Sequence, residues 1–308
     1  MEVLRPPVLM ALARPDDVVP RTGEWSYEPK LDGWRAVLFA MRGVVQSRRD
    51  NDLANRFPEV VRAGRRLGEV VLDGELVALR DGRLDFGALT SRPASRAEAG
   101  VTIYYTAFDL LADETGDLRA LPYRDRRARL EQRFAAAEPP LQLIPATQDP
   151  EAAAAWLGPG LADVGIEGVV AKKVTEPYRP GRTDDWRKVR SVVFVDAVVV
   201  GVTGPVIRPD ALVLARPDAT GVLLPVGLSL PLPPKFRDAA GLHVVPTGEP
   251  VRHLHGTVFG HQGAEYLPVR PTLVVEAEGD PTIVSFTNRT RPRIHRLRPD
   301  LRPDQVRT

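Results

Sequence analysis

The chain has 308 residues, room for about two domains with a buried core each, and its 43% hydrophobic and 27% charged residues suit an ordinary globular protein. A net charge of +2 does not by itself demand a nucleic-acid partner, and the absence of cysteine excludes disulfides, thiol catalysis and cysteine-ligated zinc. Only Lys30, Lys172, Lys173, Lys188 and Lys235 are lysines against 37 arginines, an imbalance that reads as the imprint of a GC-rich genome and makes each surviving lysine a chemical question.

In chain order, the apolar run Val3 to Ala13 is interrupted by Arg5, Pro6 and Pro7, too short and broken for a membrane span or a secretion signal. Cytoplasmic residence is therefore expected. Trp25 to Glu28 and Trp34 to Phe39 read as strands flanking a loop that carries Lys30, and Met41-Arg42-Gly43 turns into a strand Val44 to Arg48. Asn55 to Leu67 has helical spacing, and Glu69 to Leu79 is strand-like, ending in an Arg80-Asp81-Gly82-Arg83 turn. Val101 to Leu111, rich in β-branched and aromatic residues, predicts a buried strand. Tyr123 to Phe134 suits an arginine-covered helix, and Asp149-Pro150-Glu151 supplies a cap, a first-turn proline and an acid for a helix through Trp156. After Arg190 come short β-branched strands separated by Gly and Pro, starting at Val192 to Val202, with one helix near Pro234 to Ala240 and a proline-rich loop Leu230 to Pro234. That pattern fits a small β-barrel, so two domains are expected, 1–190 and 191–308.

Tyr27-Glu28-Pro29-Lys30-Leu31-Asp32-Gly33 contains K-x-D-G, a weak signal alone. It gains weight from further segments in which polar groups interrupt strand-like sequence: Ser47-Arg48, Asp73-Gly74-Glu75-Leu76, Phe108-Asp109, Glu167 to Lys172 and Trp186 to Arg190. Burying such groups is costly unless a partner or a ligand meets them. In this order KLDG, SRRD, LDGEL, AFDLL, EGVVAKK and WRKVR resemble the motifs of the covalent nucleotidyltransferases, most closely the small bacterial ATP-dependent DNA ligases. The resemblance spans nearly the whole chain. It implies an α+β nucleotidyltransferase domain of the ATP-grasp-like ligase kind with antiparallel sheets, followed by an all-β OB-fold barrel.

The resemblance also implies roles. Lys30 is the nucleophile that attacks the α-phosphate of ATP, a task closed to arginine, which is effectively never deprotonated. AMP then passes to the 5′-phosphate of a nick, and the 3′-hydroxyl displaces it. Glu28 contacts adenine N6, Arg35 and Arg48 contact AMP and the nick phosphate, Glu75 the ribose hydroxyl, and Phe108 stacks on adenine. Glu167, with Glu75, supplies oxygen to Mg²⁺ or Mn²⁺, while Lys172 and Lys188 neutralise the α-phosphate. Asp32 supports the active-site loop, and Arg182 adds a phosphate contact. Arg289 to Asp300 resembles the family's C-terminal Arg-x-Asp-Lys motif through Arg298 and Asp300, but Leu301 stands where its lysine would be. Either nearby arginines supply that charge or self-adenylation is slow.

With only 29 residues before Lys30, the N-terminal helical DNA-clamping domain of larger ligases is not expected. A monomer that holds nicked double-stranded DNA through salt-sensitive phosphate contacts follows, nucleoid-associated and in need of DNA-repair partners. The alternatives are an RNA ligase or a capping-type guanylyltransferase, which share K-x-D-G, and a non-catalytic OB-fold nucleic-acid-binding protein.

Overall fold

The structure is a computed structural model that describes residues 4–162, 164–191, 193–218, 220–254, 264–279 and 291–307. Of the C-terminal stretch singled out above, Arg289 and Thr290 lie outside the described residues. The chain divides into two compact units, Met1–Ser191 and Val192–Thr308.

The strands of the first unit are β1 (Ala11–Pro15), β2 (Trp25–Leu31), β3 (Trp34–Phe39), β4 (Val44–Ser47), β5 (Val71–Arg80), β6 (Arg83–Leu84), β7 (Thr102–Asp113), β8 (Gly116–Asp117), β9 (Leu141–Leu143), β10 (Ile166–Lys173) and β11 (Gly181–Arg190). Its helices are α1 (Pro58–Arg65), α2 (Pro93–Glu98), α3 (Tyr123–Phe134), α4 (Pro150–Ala154) and α5 (Pro159–Ala162). A small sheet has the order β1-β11-β10-β2, and a larger one β4-β3-β5-β7-β8, with β6 on β5 and β9 on β7. Pairing is antiparallel except at β1–β11 and β7–β9. Parallel neighbours need long connections, and these two pairs have them.

Alternation along each strand builds the layers. Ala36, Leu38, Leu72 and Leu76 face outward from the larger sheet onto Phe57, Val60 and Leu130 of the helical layer. Val37, Phe39, Val71 and Leu111 face the other way, against Met10, Tyr178 and Trp186. On the outer face of the small sheet Trp25, Tyr27, Val169, Ala171 and Val189 pack with Ala153. The layer between the two sheets is thus apolar at one end. Its other end carries the polar motif residues.

Helix α3 begins immediately after Pro122, and its buried residues Tyr123, Arg126, Leu130 and Phe134 recur at three- and four-residue spacing along one face. Asp149 caps α4 as expected, its side chain accepting from the Glu151 backbone N–H at 2.9 Å. That helix ends at Ala154 and tightens into a 3₁₀ turn through Leu157. The helix expected over Asn55 to Leu67 is confined to Pro58–Arg65, where a first-turn proline sets its start.

The second unit contains β12 (Val193–Thr203), β13 (Ala211–Pro217), β14 (Leu223–Leu228), β15 (Arg252–Leu254), β16 (Ala264–Pro268), β17 (Val274–Gly279) and β18 (Ile294–Leu297), with helix α6 (Pro234–Gly241). Strand β12 is the hub: it pairs with β13 along one edge, while on the other its first half pairs with β17 and its second half with β16. The change of partner follows a register shift at Val199 to Gly201, where a Cβ on Gly201 would run into the ring of Tyr266. The strands enclose Val199, Val202, Leu212, Leu214, Val275 and Ile294, the core of an OB-fold barrel.

Candidate active site

The period-two alternation that points Val37 and Phe39 into the inter-sheet layer also points the polar residues there. Glu28 and Lys30 on β2, Arg35 on β3, Glu75 on β5, Phe108 on β7, Lys172 on β10, and Arg182 and Lys188 on β11 line one cleft, joined by Arg48 from the turn after β4. Its empty space, including the part open to solvent, is about 800 Å³.

Lys30 was expected in a loop, yet it lies within β2, paired with Gly168 of β10. The ladder between β2 and β10 continues to Leu31, so the turn is formed only by Asp32 and Gly33. Opposite Lys30 the register slips between Ile166 and Gly168, leaving Glu167 as an extra residue on the bulged strand. Such a bulge re-aims a side chain. Here Glu167 is turned onto Lys30, and the two form a short ion pair. Gly168 permits it: its φ is +147°, and a Cβ would collide with the Val189 carbonyl.

Deeper in the cleft, Glu28 and Lys172 are almost wholly buried, at 2% and 1% exposure. The Lys172 ammonium lies 2.8 and 3.0 Å from the two Glu28 oxygens and donates to the Phe108 carbonyl at 2.9 Å. It also sits 4.3 to 4.9 Å from the ring centroids of Trp186, Phe108 and Tyr123. Burial lowers its pKa, and the Glu28 carboxylate opposes that shift. The expectation that Lys172 stands beside Lys188 on a phosphate therefore needs correction: its donors are engaged within the protein. The Tyr123 hydroxyl donates to Glu28 in a short hydrogen bond.

Arg35 lines the cleft, but its fork is bidentate on Asp73, Nε to Oδ1 at 3.0 Å and Nη2 to Oδ2 at 2.7 Å. Tyr178 donates to the same Oδ2 at 2.6 Å and accepts from the Ala11 backbone N–H. Burial disfavours the Arg35 charge, and Asp73, helped by Tyr178 and Glu75, more than offsets it, so its pKa is raised. The walls of the cleft push the Glu75 carboxyl up to about 8, against the pull of Lys30 and Arg35. Lys188 is lowered by burial and by the neighbouring cations Arg190, Lys30, Arg182 and Arg48. That crowding of positive charge is what a polyanion would relieve.

Asp32 is in the turn after β2, where its backbone N–H donates to the Gly165 carbonyl, and it does not line the cleft. Arg298 and Asp300 belong to the second unit. Arg298 is bidentate on Asp300 and reaches Asp196 at 2.9 Å. Leu301 packs against Val198, Val274 and Val306, so the residue in the lysine's place is part of an apolar cluster.

Several residues of the site had no role assigned from sequence. Asp73 stands in a quoted motif, and its two-residue spacing from Glu75 was the available signal. Arg190, whose guanidinium lies 4.0 Å from Glu167, likewise stands in a quoted motif, two residues after Lys188, whereas Tyr123 and Tyr178 come from segments without such a signal. Among the described residues no three His, Cys, Asp or Glu side chains cluster as a metal site. Glu167 and Glu75 offer a few carboxylate oxygens. That set fits Mg²⁺ or Mn²⁺ shared with substrate phosphates.

Residues 10–190 match the family model described as ATP dependent DNA ligase domain. DNA ligase C2 of Mycolicibacterium smegmatis is 36% identical over 239 residues, 72% of this chain and 66% of the relative. The multifunctional non-homologous end joining protein LigD of Pseudomonas aeruginosa is 37% identical over 193 residues, 60% of this chain and 22% of that protein. The chain thus spans less than two thirds of these relatives' lengths. The crystal structure of the ligase domain from M. tuberculosis LigD superposes with a TM-score of 0.54 at 25% identity, covering 97% of this chain and 98% of that one. A cleft built around a lysine on a KxDG strand, in a domain of this family followed by an OB-fold barrel, has one home: the chain belongs to the ATP-dependent DNA ligase domain family.

Proposed function

We propose that the chain is an ATP-dependent DNA ligase that seals 5′-phosphate/3′-hydroxyl nicks, with residues 1–190 as the adenylation domain and residues 191–308 as the OB-fold domain. The observation that carries the reading is the convergence of Lys30, Glu28, Glu75, Arg48, Phe108 and Lys188 on one cleft, with Lys30 held against Glu167.

In this reading the unprotonated Lys30 amine attacks the α-phosphorus of ATP. A P–N bond forms, the P–O bond to pyrophosphate breaks, and the amine proton is lost with Glu167 positioned to receive it. An oxygen of the nick's 5′-phosphate then displaces lysine from phosphorus, and the 3′-hydroxyl displaces AMP. Glu28 meets the adenine amino group, Phe108 stacks on the base, and Glu75 meets the ribose. Arg48, Arg182, Arg190 and Lys188 supply the positive field for the phosphates, with Arg35 fixed beside them by Asp73. A divalent cation bound by Glu167 and Glu75 would supply charge neutralisation at the phosphates. Asp32 shapes the turn, and Arg298 with Asp300 serves the adenylation step from the second unit.

A role in DNA repair, action as a monomer, contact with repair proteins and a cytoplasmic, nucleoid-associated location belong to the same proposal. Among the described residues no helix is long and apolar enough to cross a membrane. The test is gel-resolved: labelled ATP must yield an acid-labile covalent adduct, and that adduct must disappear on addition of nicked DNA as the strand is sealed. Label from GTP alone, or sealing of RNA but not DNA, overturns this reading in favour of a capping enzyme or an RNA ligase.

A further inference from the structure

Helix α3 turns two side chains four residues apart, Tyr123 and Arg127, toward Glu28. Neither belongs to the motifs that carry the family resemblance. A carboxylate offers about four acceptor sites. On Glu28, Oε1 takes the Tyr123 hydroxyl and Lys172 at 3.0 Å, and Oε2 takes Lys172 at 2.8 Å. One acceptor site remains, on Oε2.

We propose that Tyr123 is a positioning residue for base selection, which with Lys172 locks Glu28 as an oriented, acceptor-only carboxylate that admits a purine carrying an amino group and rejects one carrying a carbonyl at the same position. The inference rests on the adenylation reading above and adds to it the group that aims Glu28.

The chemistry is one of complementarity. A carboxylate held in this way accepts from an exocyclic N–H and has no donor to offer a carbonyl oxygen, so a 6-oxopurine would bury two unpaired acceptors against each other. Lys172, 2.8 Å from Oε2 and 3.0 Å from Oε1, fixes the plane of the carboxylate between the two oxygens. The Tyr123 phenol is fit for its part because burial and the Glu28 charge raise its pKa, so it stays a donor. Arg127 reinforces the arrangement from 3.9 Å, its Nη1 buried without a hydrogen-bond partner, while its Nε and Nη2 are spent on Glu131 and the Ile144 carbonyl.

The experiment measures formation of the covalent nucleotide adduct with ATP and with purine riboside triphosphate, which lacks the amino group, and with GTP. Wild type is expected to favour ATP over the purine analogue by about tenfold or more, the worth of a hydrogen bond to a charged group. In Tyr123→Phe the KM for ATP rises about tenfold, kcat is held, and the preference over the analogue falls toward unity. In a Glu28→Gln background Tyr123→Phe adds nothing further, because Tyr123 acts through Glu28.

A Tyr123→Phe protein with undiminished ATP preference, or one whose effect is equally large beside Glu28→Gln, overturns the inference. So does a wild type that does not distinguish ATP from the purine analogue, a result that needs no variant to fold. A wild type that forms no adduct with any nucleotide overturns the adenylation reading and the inference together.

Discussion

Two arginine–aspartate pairs show how differently the two units use charge. In the first unit Arg126 is bidentate on Asp109 at 2.7 and 2.9 Å, and both side chains have 0% exposure. In the second, Arg298 is equally bidentate on Asp300, but Asp300 is 62% exposed. The hydrogen-bond geometry is alike, and the surroundings are not. Water can take the place of Arg298 at the exposed Asp300 carboxylate. In the core the partner left behind has nothing else, so the same chemistry becomes a structural requirement.

The cleft extends that contrast. Its walls combine buried, locked pairs, Glu28 with Lys172 and Arg35 with Asp73, and a half-exposed set of cations and acids around Lys30. The locked pairs set shape. The half-exposed groups are left to meet a substrate.

Variants can break or sharpen this division. The largest effect is expected from Lys30→Ala, which removes the nucleophile: no covalent nucleotide adduct forms, and nick sealing falls by at least about a thousandfold. Sealing at wild-type rate by that variant would remove Lys30 from the chemistry. Next is Arg126→Met, which strands Asp109 in the core and should cost about 3–5 kcal/mol in urea denaturation. Arg298→Met, by contrast, returns Asp300 to water and leaves Asp196 and Glu276 partly solvated, so it should cost clearly less by the same measurement. Equal losses in the two variants would erase the distinction drawn here. Tyr178→Phe removes the hydrogen bond to the Asp73 carboxylate and the acceptor of the Ala11 N–H, and a loss of about 1.5–3 kcal/mol is expected by the same measurement.

Glu75 gives a pH-dependent case. Its carboxyl is raised from 4.5 to about 8 in the folded chain, so between those values the folded state binds more protons than the unfolded one. Its contribution to stability is therefore full below about 4.5 and is lost as pH rises through about 8. Denaturation midpoints in metal-free buffer should fall between pH 5 and 8 for wild type, and the fall should be shallower in Glu75→Gln. The smallest effect is expected from Leu301→Lys, since a half-buried leucine gives way to a lysine whose stem can cover the same valines. Its melting temperature should drop by a few degrees or less, and its rate of adduct formation should rise. An unchanged rate would mean that neighbouring arginines already supply the charge.

Much of the architecture is legible in the sequence. The strands around Lys30, the long strand ending near Asp113, helix α3 and the β-rich second half follow from periodicity and turn residues, and the motif residues on alternating positions share one face of their strands. Lys30 itself was misplaced in a loop, because Asp32-Gly33 signals the turn but not how far the ladder with β10 runs toward it.

The inventory is written in the chain: a lysine where arginine would fail, acids at two-residue spacing, and strands whose alternation aims them inward. Folding settles which of those groups are spent on protein partners and which face a ligand. Lys172 and Lys188 look equivalent in the chain, yet Lys172 is walled in by Glu28 and three rings, while Lys188 stands among Arg48, Arg182 and Arg190. The difference rests on partners 64 and 144 residues away, Phe108 and Glu28, and on a helix that delivers Tyr123. Local spacing carries no information about contacts that distant, and it is these contacts that set burial, charge and orientation in the cleft.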